Sequence, residues 1–213
     1  MRRALLMLGL LTLAAVWIPL PQFARHSFFA HMTMHMGVVA VAAPLVALGI
    51  AGGSLDPVRK VPALFAPVPA SILELVVVWA WHAPVLHHAA RHSTVGLLFE
   101  QGTFLLTGLF LWLSAFGGDC AHRVHGRAAG VVGLLLTSMH MTLLGALLGL
   151  SPRLLYAHAA DHAVGFANLT PLADQHLGGA IMLLVGGVSY LAGGLWLMAG
   201  LLRVTTLKPE EGA

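Results

Sequence analysis

Apolar positions fall into six long, nearly unbroken runs: Ala4–Leu20, Phe28–Ile50, Val68–His82, Val95–Phe116, Ala129–Leu150 and Leu177–Leu202. No stretch alternates with the two-residue period of a half-buried strand. A helix that crosses a bilayer needs about 20 mostly apolar residues. The third run is the shortest, because Pro62, Pro67 and Pro69 break its beginning. Polar or Gly/Pro-rich connectors separate the runs: PLPQFARHS, AGGSLDPVRKVP, APVLHHAARHS, GGDCAHRVHGR and SPRLLYAHAADHAVGFANLTPLADQ. The pattern predicts an all-α, polytopic transmembrane bundle of about six spans, folded as one domain over residues 1–213, with a lipid bilayer as its first partner.

Composition agrees. The chain is 58% hydrophobic and 9% charged, whereas about a quarter of a soluble globule is charged. The formal net charge of +3 rests on few groups and gives no basis for nucleic-acid binding. The single cysteine, Cys120, excludes an internal disulfide framework. Arg and Lys accumulate on the cytoplasmic side of membrane proteins. With the N-terminus inside, Arg2, Arg3, Arg59, Lys60, Arg123, Arg127, Arg203 and Lys208 are cytoplasmic, and Arg25, Arg91 and Arg153 fall outside. Both termini are then cytoplasmic. MRR before an apolar run also suits a signal peptide, but no A-x-A-like site with good flanks follows, so the first run is read as a span.

On that topology the histidines sort by side. His122 and His125 fall in a cytoplasmic loop, while His26, His31, His35, His82, His87, His88, His92, His140, His158, His162 and His176 lie in outer connectors or outer parts of spans. His31 and His35 sit one and two turns inside the second span, four residues apart and on one face. His88/His92 and His158/His162 repeat that spacing. Two imidazoles at i and i+4 form a two-point metal clamp, and neighbouring thioethers (Met32, Met34, Met36) favour a soft or borderline ion, copper above all. His140, between Met139 and Met141, lies about 15 Å below the outer end of its span. Glu100 and Glu74 are intramembrane carboxylates, which are costly and are functional candidates by default. Asp174 stands where a carboxylate caps the last helix.

Plainer readings stand beside these. His26, His87, His88 and His92 suit a headgroup-level role. Met32 and Met36 suit core filling. Asp174 fits a helix cap as well as a ligand partner, and Glu74 fits a helix-pairing group. Cys120, His122 and His125 read as a flexible loop. Gly179, Gly186, Gly193 and Gly200 recur every seven residues, and Gly145 and Gly149 form a GxxxG. These glycines read as close-packing surfaces between helices.

The order of motifs resembles the CtaG-type cytochrome c oxidase assembly family of bacterial membrane proteins. The matching residues are H-x-x-x-H-M (His31, His35, Met36) with Pro44 and Gly49 following, WHAP (Trp81, His82, Pro84), FEQGTFLLTGLFLW (Glu100 to Trp112), MHMTLLGALL leading to Tyr156, and LADQHLGGAIM (Asp174, Gln175, Gly178, Gly179). The family commonly carries Glu-His where this chain has Glu100-Gln101, and its longer members have seven spans. The resemblance implies a non-enzymatic factor of the bacterial cytoplasmic (inner) membrane that acts in forming the oxidase copper centre. Its partners would be cytochrome c oxidase subunits or other copper-delivery factors. The expected metal ligands are His31, His35 and His140, with His82, His176, Met36 and Met141 as further candidates. Glu100 and Asp174 are expected to orient them, at a site facing the outer side. Two rival readings remain open. One is a redox protein holding haem between His35 and His140. The other is a metal-dependent hydrolase with Glu100 as general base.

Overall fold

The computed structural model describes residues 1–156 and 169–206, with side chains throughout except at 120–125 and 204–206. His158 and His162 lie outside the described residues. Of the described residues 84% are helical, and none is in a strand. The helices are α1 (Arg2–Trp17), α2 (Leu20–Ala24), α3 (Phe28–Met36), α4 (Ala43–Ile50), α5 (Pro67–His82), α6 (Pro84–His92), α7 (Thr94–Phe116), α8 (Cys120–Gly149), α9 (Pro171–Ile181) and α10 (Gly187–Thr206). One π-helical turn, Gly37–Ala42, joins α3 to α4, and another, Met182–Gly186, joins α9 to α10.

Start signals are visible at most helices. Ser27, Ser93 and Thr170 cap α3, α7 and α9 by accepting from Ala30 N, Gly96 N and Ala173 N. Proline opens α5, α6 and α9, where its missing N–H costs nothing. Pro44 is different, since it lies inside the continuous Phe28–Ile50 helix. It cannot donate to Ala40 O, and the π turn shifts the next donor as well, so that Ala43 N bonds Val38 O. Two carbonyls are thereby released, and the last helix reaches both: Ser189 Oγ donates to Ala40 O at 2.6 Å, and Tyr190 Oη, whose one hydrogen is shared with Glu74, lies 3.2 Å from Val39 O.

Among the described residues four helices are long and apolar enough to cross a membrane: Phe28–Ile50, Thr94–Phe116, Gly126–Gly149 and Pro171–Arg203. A fifth follows if α5 and α6, bent by 72° at Ala83, form one span. α1, at 16 residues, is too short to be counted, although it packs along α4. Among the described residues four or five helices therefore meet the length and composition of a span, against the expected six. Two expected connectors are helical. APVLHHAARHS is largely α6, and α8 begins at Cys120, so the segment read as a flexible loop is its first turns. Their Ala, His and Arg content marks departure from lipid, which is a separate matter from loss of helicity.

The outer surface of the bundle is apolar, and the polar side chains are gathered inside it within an apolar core. Exposed Ile72, Val76, Leu106, Leu143, Val188 and Trp196 face outward, while Glu74, Glu100, His31 and His35 are wholly or almost wholly buried. The helices pack closely where glycine permits. A methyl on Gly145 of α8 would lie 2.6 Å from Leu183 N and 2.9 Å from Gly179 O, so the GxxxG of α8 seats directly on the last helix.

Candidate metal centre

The start of α3, the end of α5, α6 and the start of α7 converge at one end of the bundle. Asp174 at the start of α9 fixes α3 there. Its Oδ2 accepts from Phe28 N at 2.6 Å, and its Oδ1 accepts from Ser27 Oγ at 2.7 Å and Phe29 N at 3.2 Å. The sequence suggested a cap for Asp174's own helix, yet Asp174 caps α3, while Thr170 caps α9. Tyr156 Oη donates to His82 O at 2.8 Å, holding the end of α5. Arg25 Nη2 donates to Thr94 Oγ1 at 2.6 Å, tying α2 to the start of α7.

His31, His87 and Glu100 each present one ligand atom within 4.8 Å of the others, and all three are buried. His31 Nε2 lies 3.3 Å from Glu100 Oε1, yet neither atom has a hydrogen-bond partner. Bonds of about 2.0–2.2 Å to a tetrahedral ion separate its ligand atoms by about 3.3–3.5 Å. The His31–Glu100 distance matches that spacing, and it equally suits an ion pair with a protonated imidazole. Glu100 Oε2 accepts from Gln101 Nε2 at 3.2 Å, so Gln101 positions the carboxylate. Arg91 Nη1 makes a long 3.5 Å contact with His87 Nε2.

His35 and His82 lie beside this group. Their ring centroids are 5.4 Å apart, and the His35 ring sits 3.9 Å from that of Phe104. His82 Nδ1 lies 2.7 Å from Val78 O. A carbonyl only accepts, so Nδ1 carries the proton and the Nε2 lone pair is left for a ligand. Neither that Nε2 nor either nitrogen of His35 has a hydrogen-bond partner. Buried polar atoms are normally paired, and unpaired ones call for an explanation such as an ion. The donor chemistry fits one: imidazole and carboxylate, in an apolar shell, on rigid helices.

The remaining sequence candidates divide. His140 is buried with neither ring nitrogen partnered, but it joins no group of three ligands among the described residues. Met36 and Met141 meet across Gly186, where a methyl would lie 3.2 Å from Met36 Sδ and 3.3 Å from Met141 Cβ. His176 is half-buried and its Nε2 sits 2.8 Å from Ser151 O at the end of α8. His87 was read as a headgroup-level residue, yet α6 turns it inward against His31, ring centroids 4.9 Å apart. The strong amphipathicity of HHAARH was the available signal. A second polar group lies elsewhere: Tyr190 Oη donates to Glu74 Oε1 at 2.5 Å, and Ser71 and Thr137 hydroxyls are 2.8 Å apart.

No curated protein and no solved structure matches the chain. The residue profile of one family does, over residues 1–204. The HMTMHM, WHAP, FEQ and LADQHLGG segments lie within that stretch and build or brace the histidine group. The chain is a helical membrane protein that belongs to the cytochrome c oxidase caa3 assembly factor family.

Proposed function

We propose that this assembly factor binds copper as cargo at the His31/His87/Glu100 group and passes it to the oxidase as its copper centre forms. The observation that carries the reading is the set of buried ligand atoms without hydrogen-bond partners on α3, α5 and α7, drawn together by helices whose outer surfaces are apolar. His31, His87 and Glu100 hold the ion. His35 and His82 extend the donor set inward, and His140 with Met36 and Met141 supplies deeper ligands, the thioethers suiting a soft ion. Glu100 compensates charge and, with Gln101, fixes the His31 ring, since a carboxylate beside a ligand imidazole sets its orientation and basicity. A three-ligand site leaves an open position, which exchange with a partner requires. Neither the haem nor the hydrolase reading gains an observation of its own.

The Arg/Lys bias further leads us to infer six crossings of the bacterial cytoplasmic membrane. α1 then crosses with help from its packing on α4, both termini are cytoplasmic, and the histidine group opens toward the outer face. The partners on that face are oxidase subunits or other copper-delivery factors.

Metal analysis of the purified protein tests the proposal together with oxidase activity in cells. Bound copper is expected, lost in His31→Ala and Glu100→Gln, with oxidase activity falling in the same cells. Protein that binds no copper, in cells whose His31→Ala and His140→Ala variants keep full oxidase activity, overturns it. C-terminal reporter fusions check the orientation, and an outward reporter would reverse it.

A further inference from the structure

α6 is nine residues long and carries histidine on two different faces. His87 and Arg91 point into the protein and are buried, whereas His88 and His92 are exposed. The two exposed imidazoles stack with centroids 3.9 Å apart and planes inclined by only 18°. His92 Nδ1 lies 2.9 Å from His88 O. The carbonyl can only accept, so the His92 proton is on Nδ1 and the Nε2 lone pair is free. The i, i+4 spacing puts the two side chains on neighbouring turns of one helix face, from which both imidazoles reach a single ion by side-chain rotation. The 72° bend between α5 and α6 makes α6 a separate arm rather than a continuation of α5. Its strong amphipathicity suits a helix lying at the membrane surface with its polar face in water.

We infer that His88 and His92 form a second, solvent-facing site for a borderline transition-metal ion, and that this site captures the ion before it reaches the buried group one residue away at His87. Two nitrogen ligands leave the remaining positions to water, so the ion is held weakly and exchanges quickly. Capture and burial then lie on different faces of one short helix. The exposed site stands without the copper reading above; its role in loading the buried group rests on that reading.

The test uses the full chain in detergent micelles, titrated and rapidly mixed with copper(II) alone. Paramagnetic resonance of the first equivalent reads the number of nitrogen ligands. The wild type is expected to take two ions, with a fast phase and a slow one. His88→Ala/His92→Ala, on an exposed face, keeps one ion, loses the fast phase and fills its remaining site at least tenfold more slowly. Glu100→Gln, close in volume to the native residue, keeps the fast phase and loses the slow one. A double variant that keeps the fast phase and both ions overturns the exposed site. A double variant that loses one ion but loads the other at the wild-type rate overturns the capture role. A single wild-type ion that disappears in the double variant but not in Glu100→Gln supports the exposed site and refutes the buried copper reading. The reverse pattern refutes the exposed site and supports the buried one, and no bound ion refutes both.

Discussion

Asp56 and Glu100 are both fully buried carboxylates, and their surroundings could hardly differ more. Asp56, in the turn after α4, accepts from Gly52 N at 2.6 Å, Val58 N at 2.9 Å and Gly118 N at 2.7 Å. It thereby joins the turn after α4 to the turn after α7. Gly52 and Gly118 have φ of 67° and 86°, backbone that only glycine adopts readily, so the loops are shaped to deliver donors to the carboxylate. Glu100, at the opposite end of α7, accepts a single neutral donor from Gln101, and its other oxygen faces His31 without a hydrogen bond. One acid is consumed in holding the chain. The other is braced by Gln101 and turns its second oxygen toward His31, as the candidate site requires.

The sharpest way to break that contrast is Asp56→Ala. Three backbone donors lose a charged acceptor inside the protein, which costs on the order of 3 kcal/mol or more. Thermal unfolding in micelles is expected to drop accordingly, while copper bound per folded chain is unchanged. Glu100→Gln is the mirror experiment. Copper affinity is expected to fall at least about thirtyfold, about 2 kcal/mol, with the unfolding midpoint almost unmoved. If stability and affinity fell together in Glu100→Gln, Glu100 would belong with Asp56.

Tyr190→Phe is the next smaller effect. It strips Glu74 Oε1 and Val39 O of their shared donor and is expected to cost about 1–2 kcal/mol of stability without altering copper. A loss of copper there would extend the site to Glu74. His176→Ala is the mildest. It removes one half-buried contact with Ser151 O, about 1 kcal/mol, and is expected to leave copper content intact; a fall in copper would restore His176 as a ligand.

The helical runs were legible because lipid imposes a length and a composition that few soluble segments share. The sequence places the second run at Phe28–Ile50, and the structure gives the same bounds. What hydropathy could not deliver was the fate of the polar ends. His87 and His88 are adjacent, identical in type and opposite in environment, and only the register of α6 on α7 decides which is buried. Spacing along one helix brought out His31 and His35, but their partners came from three other helices, at distances fixed by packing. His140 illustrates the converse. Its depth and flanking methionines marked it as a ligand, while its direction around α8 was invisible to a linear reading. Asp174 was recognisable as a cap, and the helix it caps was not.

That last detail bears on how the protein is made. The N-terminal end of α3 receives its carboxylate from a residue 146 positions later in the chain, and the carbonyls freed by Pro44 wait for hydroxyls from Ser189 and Tyr190. During synthesis the early helices enter the bilayer without these partners. The histidine-bearing segment therefore reaches its final geometry only once the last helix has left the ribosome. A chain released short of Tyr190 would carry every histidine of the cluster on a frame that lacks these partners.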